Sequence, residues 1–164
     1  MIIKVADLTE EVRTVEFAMA AAELNAVLEA SPGWSEQRFD RDLEVQAEAY
    51  RHGSDVYAAG TLAAGVQCTC RRCLDDFEWP LQREFRFLLV KAARGEEPDD
   101  DTGLDHYDGE EIDLGRLACE QAVLGLDGTL LCSPDCRGLC SSCGTNLNHE
   151  RCRCGTDGTD SADG

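Results

Sequence analysis

Positive charge is in short supply in this chain. Its 164 residues carry fifteen Lys and Arg against thirty-three Asp and Glu, a formal net charge of −18. Nucleic-acid binding depends on cations that neutralise phosphates, so a broad RNA- or DNA-binding surface is not expected. Aromatic residues make up 6% of the chain, which leaves the core to be built mainly from Leu, Val and Ala. No apolar run approaches the roughly 20 residues that span a bilayer, and no membrane association is expected. Met1–Asp7 lacks a basic segment followed by a long apolar stretch. No signal peptide is read there, and a cytoplasmic location is expected. Histidine occurs only as His52, His106 and His149. There is no Gly-rich phosphate loop, nucleophile elbow or paired-carboxylate arrangement. The sequence gives no reason to expect an enzyme.

Cysteine, in contrast, is abundant. Ten are present: Cys68, Cys70, Cys73, Cys119, Cys132, Cys136, Cys140, Cys143, Cys152 and Cys154. In a reducing cytosol, clustered cysteines point to metal ligands rather than disulfides. Six of them fall within the twenty-three residues from 132 to 154, spaced Cys-x3-Cys-x3-Cys-x2-Cys-x8-Cys-x-Cys. That segment is rich in Gly, Ser and Asn and cannot bury a core of its own, so a structural metal is the expected organiser. Cys140-Ser141-Ser142-Cys143-Gly144 has the form of a zinc knuckle, in which glycine supplies the positive φ of the turn. Cys152 and Cys154 are the nearest candidates to complete that site. Cys132 and Cys136 are placed to pair with Cys70 and Cys73, although spacing alone does not fix the pairing. Soft thiolates suit zinc or an iron–sulfur cluster, and the knuckle favours zinc. One or two structural ions are expected, depending on whether Cys70 and Cys73 join. The alternative for that pair is plain core thiols. Arg71 and Arg72 between them also raise a thiol-redox or metal-storage reading. His149 is a further candidate ligand, while Cys119 reads as a small buried hydrophobe.

The rest of the chain reads as α+β. Ile2–Val5 and Arg13–Phe17 are short β-rich runs, and Met19–Ala30 is helical, with Leu24, Val27 and Leu28 at helical spacing. Alternation over Asp42–Tyr50 is a clear strand signal, followed by a turn at Arg51–Asp55, a return strand over Val56–Cys70 and a third strand over Trp79–Val90. Ile112–Leu126 reads as a helix capped by Asp113, with Leu114, Leu117, Ala118 and Leu124 on its buried face. The expected architecture is an antiparallel β-sheet or barrel-like core with two helices over residues 1–131, then a Cys-rich zinc-binding segment at 132–154 and a disordered tail at 155–164. Residues 95–111 hold nine carboxylates and no Lys or Arg. They read as a solvated acidic loop, or as a surface that meets a basic partner.

Three stretches together resemble a known family. Cys70-Arg71-Arg72-Cys73-Leu74 is similar to its C-x-R-C-L strand motif. Ile112-Asp113-Leu114 with Glu120 and Leu126 is similar to its helix. The run from Cys136 to Asn148 resembles its C-terminal signature C-x-G-L-C-x-x-C-G-x-N-L-N. This is the YceD family, the large ribosomal RNA subunit accumulation proteins. The resemblance implies a non-catalytic role in ribosome biogenesis, in the accumulation or processing of large-subunit ribosomal RNA. Given the acidity, the partner expected is a basic ribosomal or rRNA-processing protein. Direct RNA contact through Arg71, Arg72, Arg137, Arg151 and Arg153 is the alternative.

Overall fold

The computed structural model describes residues 1–30, 37–92, 105–126 and 130–154. Strand β1 (Ile2–Lys4) leads through a short 3-10 turn to β2 (Arg13–Met19) and helix α1 (Ala21–Ala30). A two-residue strand β3 (Arg38–Phe39) precedes the three long strands β4 (Leu43–His52), β5 (Asp55–Thr69) and β6 (Asp76–Lys91). Two short strands, β7 (Asp105–Tyr107) and β8 (Glu111–Asp113), then run into helix α2 (Leu114–Leu124).

The main sheet has the order β2-β4-β5-β6-β7, with β3 paired to one end of β5. All its pairings are antiparallel except β6 with β7, where Leu89, Val90 and Lys91 align with Asp105, His106 and Tyr107. The α+β class and the mostly antiparallel sheet stand as read from the sequence. The barrel-like alternative does not: β2 and β7 lie at opposite ends of the strand order and the sheet stays open. The two helices offer a reason, because they cover one face of the sheet and bury its apolar side without closure.

Alternation does the sorting. In β4, Leu43, Val45, Ala47 and Ala49 are buried while Glu44, Gln46 and Glu48 are exposed. In β6, Leu81, Phe85, Phe87 and Leu89 point into the same core. Leu24 and Leu28 of α1 and Leu117, Ala118 and Ala122 of α2 close over them. Each fully buried Leu contributes roughly 1.5–3 kcal/mol. The β4–β5 turn needs positive φ, which Gly53 supplies at 63°. Asp113 caps α2 by accepting a hydrogen bond from the Arg116 backbone N–H at 3.0 Å.

Several details differ from the sequence reading. Leu124 is 69% exposed, because α2 ends there and its last turn passes the edge of the core. Val27 is also exposed, on the outer side of α1. Ile112 belongs to β8, which pairs with β1 in a separate two-stranded sheet. Within the expected acidic loop, residues 105–107 form an edge strand, and its last residue, Glu111, begins β8. Residues 95–104 of that loop and the expected disordered tail at 155–164 lie outside the described residues. Among the described residues, no helix is long and apolar enough to cross a membrane.

Candidate metal centres

The β5–β6 connection is the foundation of the first centre. Strand pairing runs out at Thr69 opposite Asp76, and the six residues between them form a tight loop. In that loop the Leu74 N–H donates to the Cys70 carbonyl at 3.0 Å, and Leu74 adopts φ 61°. In the tail, the Gly144 N–H donates to the Cys140 carbonyl at 2.9 Å, with Gly144 at φ 74°. The two Cys-x-x-Cys loops therefore share one backbone design. In both, a hydrogen bond closes the turn and the residue after the second cysteine is left-handed. Only the second sequence advertises this with glycine. Leu74 is the one non-glycine residue at positive φ among the described residues, and its side chain is 63% exposed.

The eight candidate thiols fall into two sets of four. Cys70, Cys73, Cys132 and Cys136 form an inner set, and Cys140, Cys143, Cys152 and Cys154 an outer one; within each, the sulfur atoms lie within 4.8 Å of one another. Individual separations are 3.7 Å for Cys70–Cys136, 3.6 Å for Cys73–Cys132, 3.5 Å for Cys143–Cys152 and 3.2 Å for Cys140–Cys152. A disulfide needs about 2.05 Å. A tetrahedron of sulfurs about 2.3 Å from a central zinc has an edge of about 3.8 Å. The geometry is that of ligands around an ion, and each set can bind a metal. The two remaining cysteines, Cys68 and Cys119, are buried in the main core, apart from both sets.

The inner set is mostly buried, with Cys132 at its partly exposed side. Cys70, Cys73 and Cys136 are buried and form their own cluster with Phe77 and Leu131 against it. The tail is stitched to the β5–β6 loop by backbone bonds from Arg71 N to Leu130 O at 3.3 Å and from Leu139 N to Arg72 O at 3.0 Å. Gly138, at φ 72°, lies where a Cβ would come within 3.1 Å of the Arg72 carbonyl, so this close approach requires glycine. Arg72 Nη1 also donates to the Cys136 carbonyl at 3.1 Å. The outer set is more open, with Cys143 and Cys154 exposed.

Thiol acidity is divided within each set. Burial pushes Cys70 up, but the backbone N–H groups of Cys132, Cys73 and Arg72 more than reverse this and bring it to about 6. Burial, reinforced by the neighbouring thiols, pushes Cys73 up to about 12. In the outer set, the hydroxyl and backbone N–H of Thr145 lower Cys143 to about 6. The sulfurs of Cys143 and Cys152 raise Cys154 to about 12. N–H and O–H donors directed at sulfur stabilise thiolate, the form that ligates metal. Burial raises Cys68 and Cys119, as suits inert core thiols.

His149 takes a different place from the ligand position considered for it. Its Nε2 bonds Asp75 Oδ2 at 2.8 Å, and Asn146 Nδ2 donates to the same oxygen at 2.8 Å. Those two contacts hold the Asp75 carboxyl below its ordinary range. Asn148 Nδ2 donates to Cys136 Sγ at 3.3 Å while its Oδ1 accepts from the Arg137 N–H at 2.7 Å. Asp75, Asn146 and Asn148 were not singled out as site residues from sequence. For the two asparagines the available signal was the Asn-Leu-Asn run beside the knuckle; Asp75 carried none.

Comparison with known proteins agrees with the motifs. An uncharacterized protein of Mycobacterium tuberculosis (strain H37Rv) is 32% identical over 111 residues, covering 66% of this chain and 52% of that protein. An uncharacterized protein of Mycobacterium leprae is 30% identical over 109 residues, 65% of this chain and 48% of that one. The chloroplastic large ribosomal RNA subunit accumulation protein YCED homolog 1 of Arabidopsis thaliana is 34% identical over 146 residues, 72% of this chain and 45% of the plant protein. The chain thus spans about half the length of the curated relatives it matches. No solved structure matches. The family model described as large ribosomal RNA subunit accumulation protein YceD matches residues 58–162, a span that takes in most of β5, all of β6 and α2, and all eight clustered thiols. On this match, and on the motifs placed by the fold, the chain belongs to the YceD family.

Proposed function

We propose that this chain is a non-catalytic ribosome-biogenesis factor that supports accumulation of large-subunit ribosomal RNA in the cytoplasm. It does so by docking a basic ribosomal or rRNA-processing protein. Structural zinc at both thiol sets keeps the tail in place. The reading of the metal follows from donor chemistry. Four thiolates in a tetrahedral cage fill every position around zinc and leave none for water or substrate, the arrangement of a structural and not a catalytic site. Bound zinc would be held by Cys70, Cys73, Cys132 and Cys136 in one site and by Cys140, Cys143, Cys152 and Cys154 in the other. Its contribution is to order the chain around it.

The observation that carries the docking proposal is the open face of the sheet. Cross-strand rows there set Glu16, Gln46, Thr61 and Glu84 side by side, with Glu48 beside Ala59 and Glu44 beside Ala63 in the adjoining rows. Hollows over this face have a floor of Thr61 and Ala63 and walls that include Glu16, Glu44 and Glu84. Among the described residues, Glu16, Glu44, Glu48 and Glu84 belong to none of the ion pairs. Arg86 stands in the Glu48 row at one side of the face, but the four carboxylates outnumber it, and that excess over a small-residue floor suits a Lys- or Arg-rich segment through a field that mainly speeds and selects association.

Direct RNA binding is less well supported. Arg71, Arg72, Arg137, Arg151 and Arg153 are all exposed around the thiol sets. Each closed zinc site carries a charge of about −2 by valence, so these arginines chiefly balance the sites they surround. The test replaces Glu16, Glu44, Glu48 and Glu84 with Gln in cells that depend on this protein. A fall in large-subunit relative to small-subunit rRNA, with loss of a basic protein from pull-downs, is the expected result. Unchanged rRNA and unchanged partners would remove this face from the proposal. Metal analysis of protein purified under reducing conditions is expected to give two zinc ions per chain.

A further inference from the structure

The loop between Cys143 and Cys152 is enclosed by thiols of the outer set, and Thr145 bonds Cys143 within that set, yet Asn146, Asn148 and His149 turn toward the inner one. Asn148 Nδ2 donates to the sulfur of Cys136, an inner-set thiol, at 3.3 Å. Asn146 and His149 both bind Asp75, two residues beyond Cys73, at 2.8 Å. The loop backbone joins in, with Leu147 N–H on the Gly138 carbonyl at 2.9 Å. From this juxtaposition we infer that the two thiol sets load metal as a positively coupled pair, with the segment Asn146–His149 as the strap between them. This inference rests on the metal-site reading given above.

The physical case has three parts. First, the sets share no thiol, so no bridging sulfur links them. Direct Coulomb interaction between two anionic sites disfavours joint loading. A favourable coupling must therefore come from the chain. Second, an ion in the outer set ties Cys143 to Cys152 and closes the strap loop. The loop-closure entropy is then already spent when the inner ion arrives. Third, the closed loop presents the Asn148 N–H to Cys136, and donors to ligating atoms set metal affinity by about 10–100-fold. Linkage makes the effect reciprocal, so an inner ion that fixes Cys136 and the β5–β6 loop strengthens the outer site by the same factor.

Cobalt(II) tests this, because its thiolate complexes absorb in the visible and report each loading step without any activity assay. Apoprotein prepared under reducing conditions is titrated with Co²⁺ alone, in competition with a chelator. Three variants accompany it: Cys143→Ser isolates the inner set, Cys73→Ser isolates the outer set, and Asn148→Asp keeps the acceptor for the Arg137 N–H while removing the donor to Cys136. The unsubstituted chain is expected to take two ions in one cooperative step. The inner set in Cys143→Ser is expected to bind about tenfold or more weakly than in the unsubstituted chain. Asn148→Asp should weaken the inner set by about 10–100-fold, while the outer set measured in Cys73→Ser keeps its affinity when Asn148→Asp is added. Two ions bound with independent affinities would overturn the coupling and leave the metal reading standing. No cobalt bound at all would overturn both.

Discussion

The two knuckles carry different residues at the same left-handed position, which allows the backbone and side-chain contributions to be separated. At Gly144, φ is 74° and an added Cβ would meet nothing within 4 Å. Replacing it with Ala therefore probes backbone strain alone. A left-handed L-residue costs about 1–2 kcal/mol. Ala recovers about 0.4–1 kcal/mol by restricting the unfolded chain. The net loss is about 0.5–1 kcal/mol, a two- to fivefold drop in zinc affinity at about 1.4 kcal/mol per decade. Gly144→Val should lose more, since a β-branched residue tolerates positive φ least. Leu74→Gly runs the other way. It relieves the same strain, pays the same entropy in reverse, and gives up the third or so of the side chain that is covered, given that Leu74 is 63% exposed. About a third of the roughly 1.5–3 kcal/mol for a buried Leu cancels the remaining gain, and the variant should be neutral within about 0.5 kcal/mol. Competition with a chromogenic zinc chelator reads the affinities, and thermal melts in excess zinc read stability. If Leu74→Gly costs more than about 2 kcal/mol, or if Gly144→Ala has no effect, the two loops are not the same device and the equivalence fails.

Chelation should release the tail while sparing the sheet: limited proteolysis is expected to cut within 132–154, whereas β4 to β6 stay protected, because the main core and the inner thiol cluster are distinct clusters that meet at Phe77. Acidification should weaken metal binding, since ligation requires thiolates. With Cys73 and Cys154 raised to about 12 and Cys70 and Cys143 lowered to about 6, zinc uptake at pH 7 should release fewer than four protons per ion. The release should climb toward four below pH 6, and calorimetry in buffers of different ionisation enthalpy measures it. Gly60→Ala should destabilise the sheet by at least about 1–3 kcal/mol in chemical denaturation, because the new Cβ would lie 2.2 Å from the Gln46 carbonyl oxygen of the neighbouring strand. Asp113→Ala should cost about 1 kcal/mol through loss of the α2 cap.

The long strands were legible because their patterns are strong. Leu43 to Ala49 alternates without a break, and Gly53 marks the turn that follows. The knuckle at Cys140 was legible from its glycine. The knuckle at Cys70 was not, since leucine occupies the position where glycine would signal a left-handed turn, and core thiols remained a competing reading there. Short elements also escaped. β7, inside the acidic stretch, and β8, at its end, each have three residues, too few for any period to show, and they exist through pairing with β6 and β1. Leu124 was assigned to the core by helical spacing, but spacing does not reveal where a helix outruns the layer beneath it. The pairing of Cys132 with Cys73 and of Cys136 with Cys70 needed three dimensions, because contacts 59 and 66 residues apart leave no local trace.

That separation has a consequence for how the protein is made. Synthesis proceeds at about 5–20 residues per second, so Cys132 follows Cys73 by about 3–12 s. Throughout that interval the nascent chain presents the Cys70 and Cys73 thiols, on a β-hairpin already able to form, with half of a cage and no means to complete it. An ion reaching the hairpin in that interval would be held by two sulfurs and exchange freely, and the tail can lock onto the hairpin only once Cys132 and Cys136 have been made.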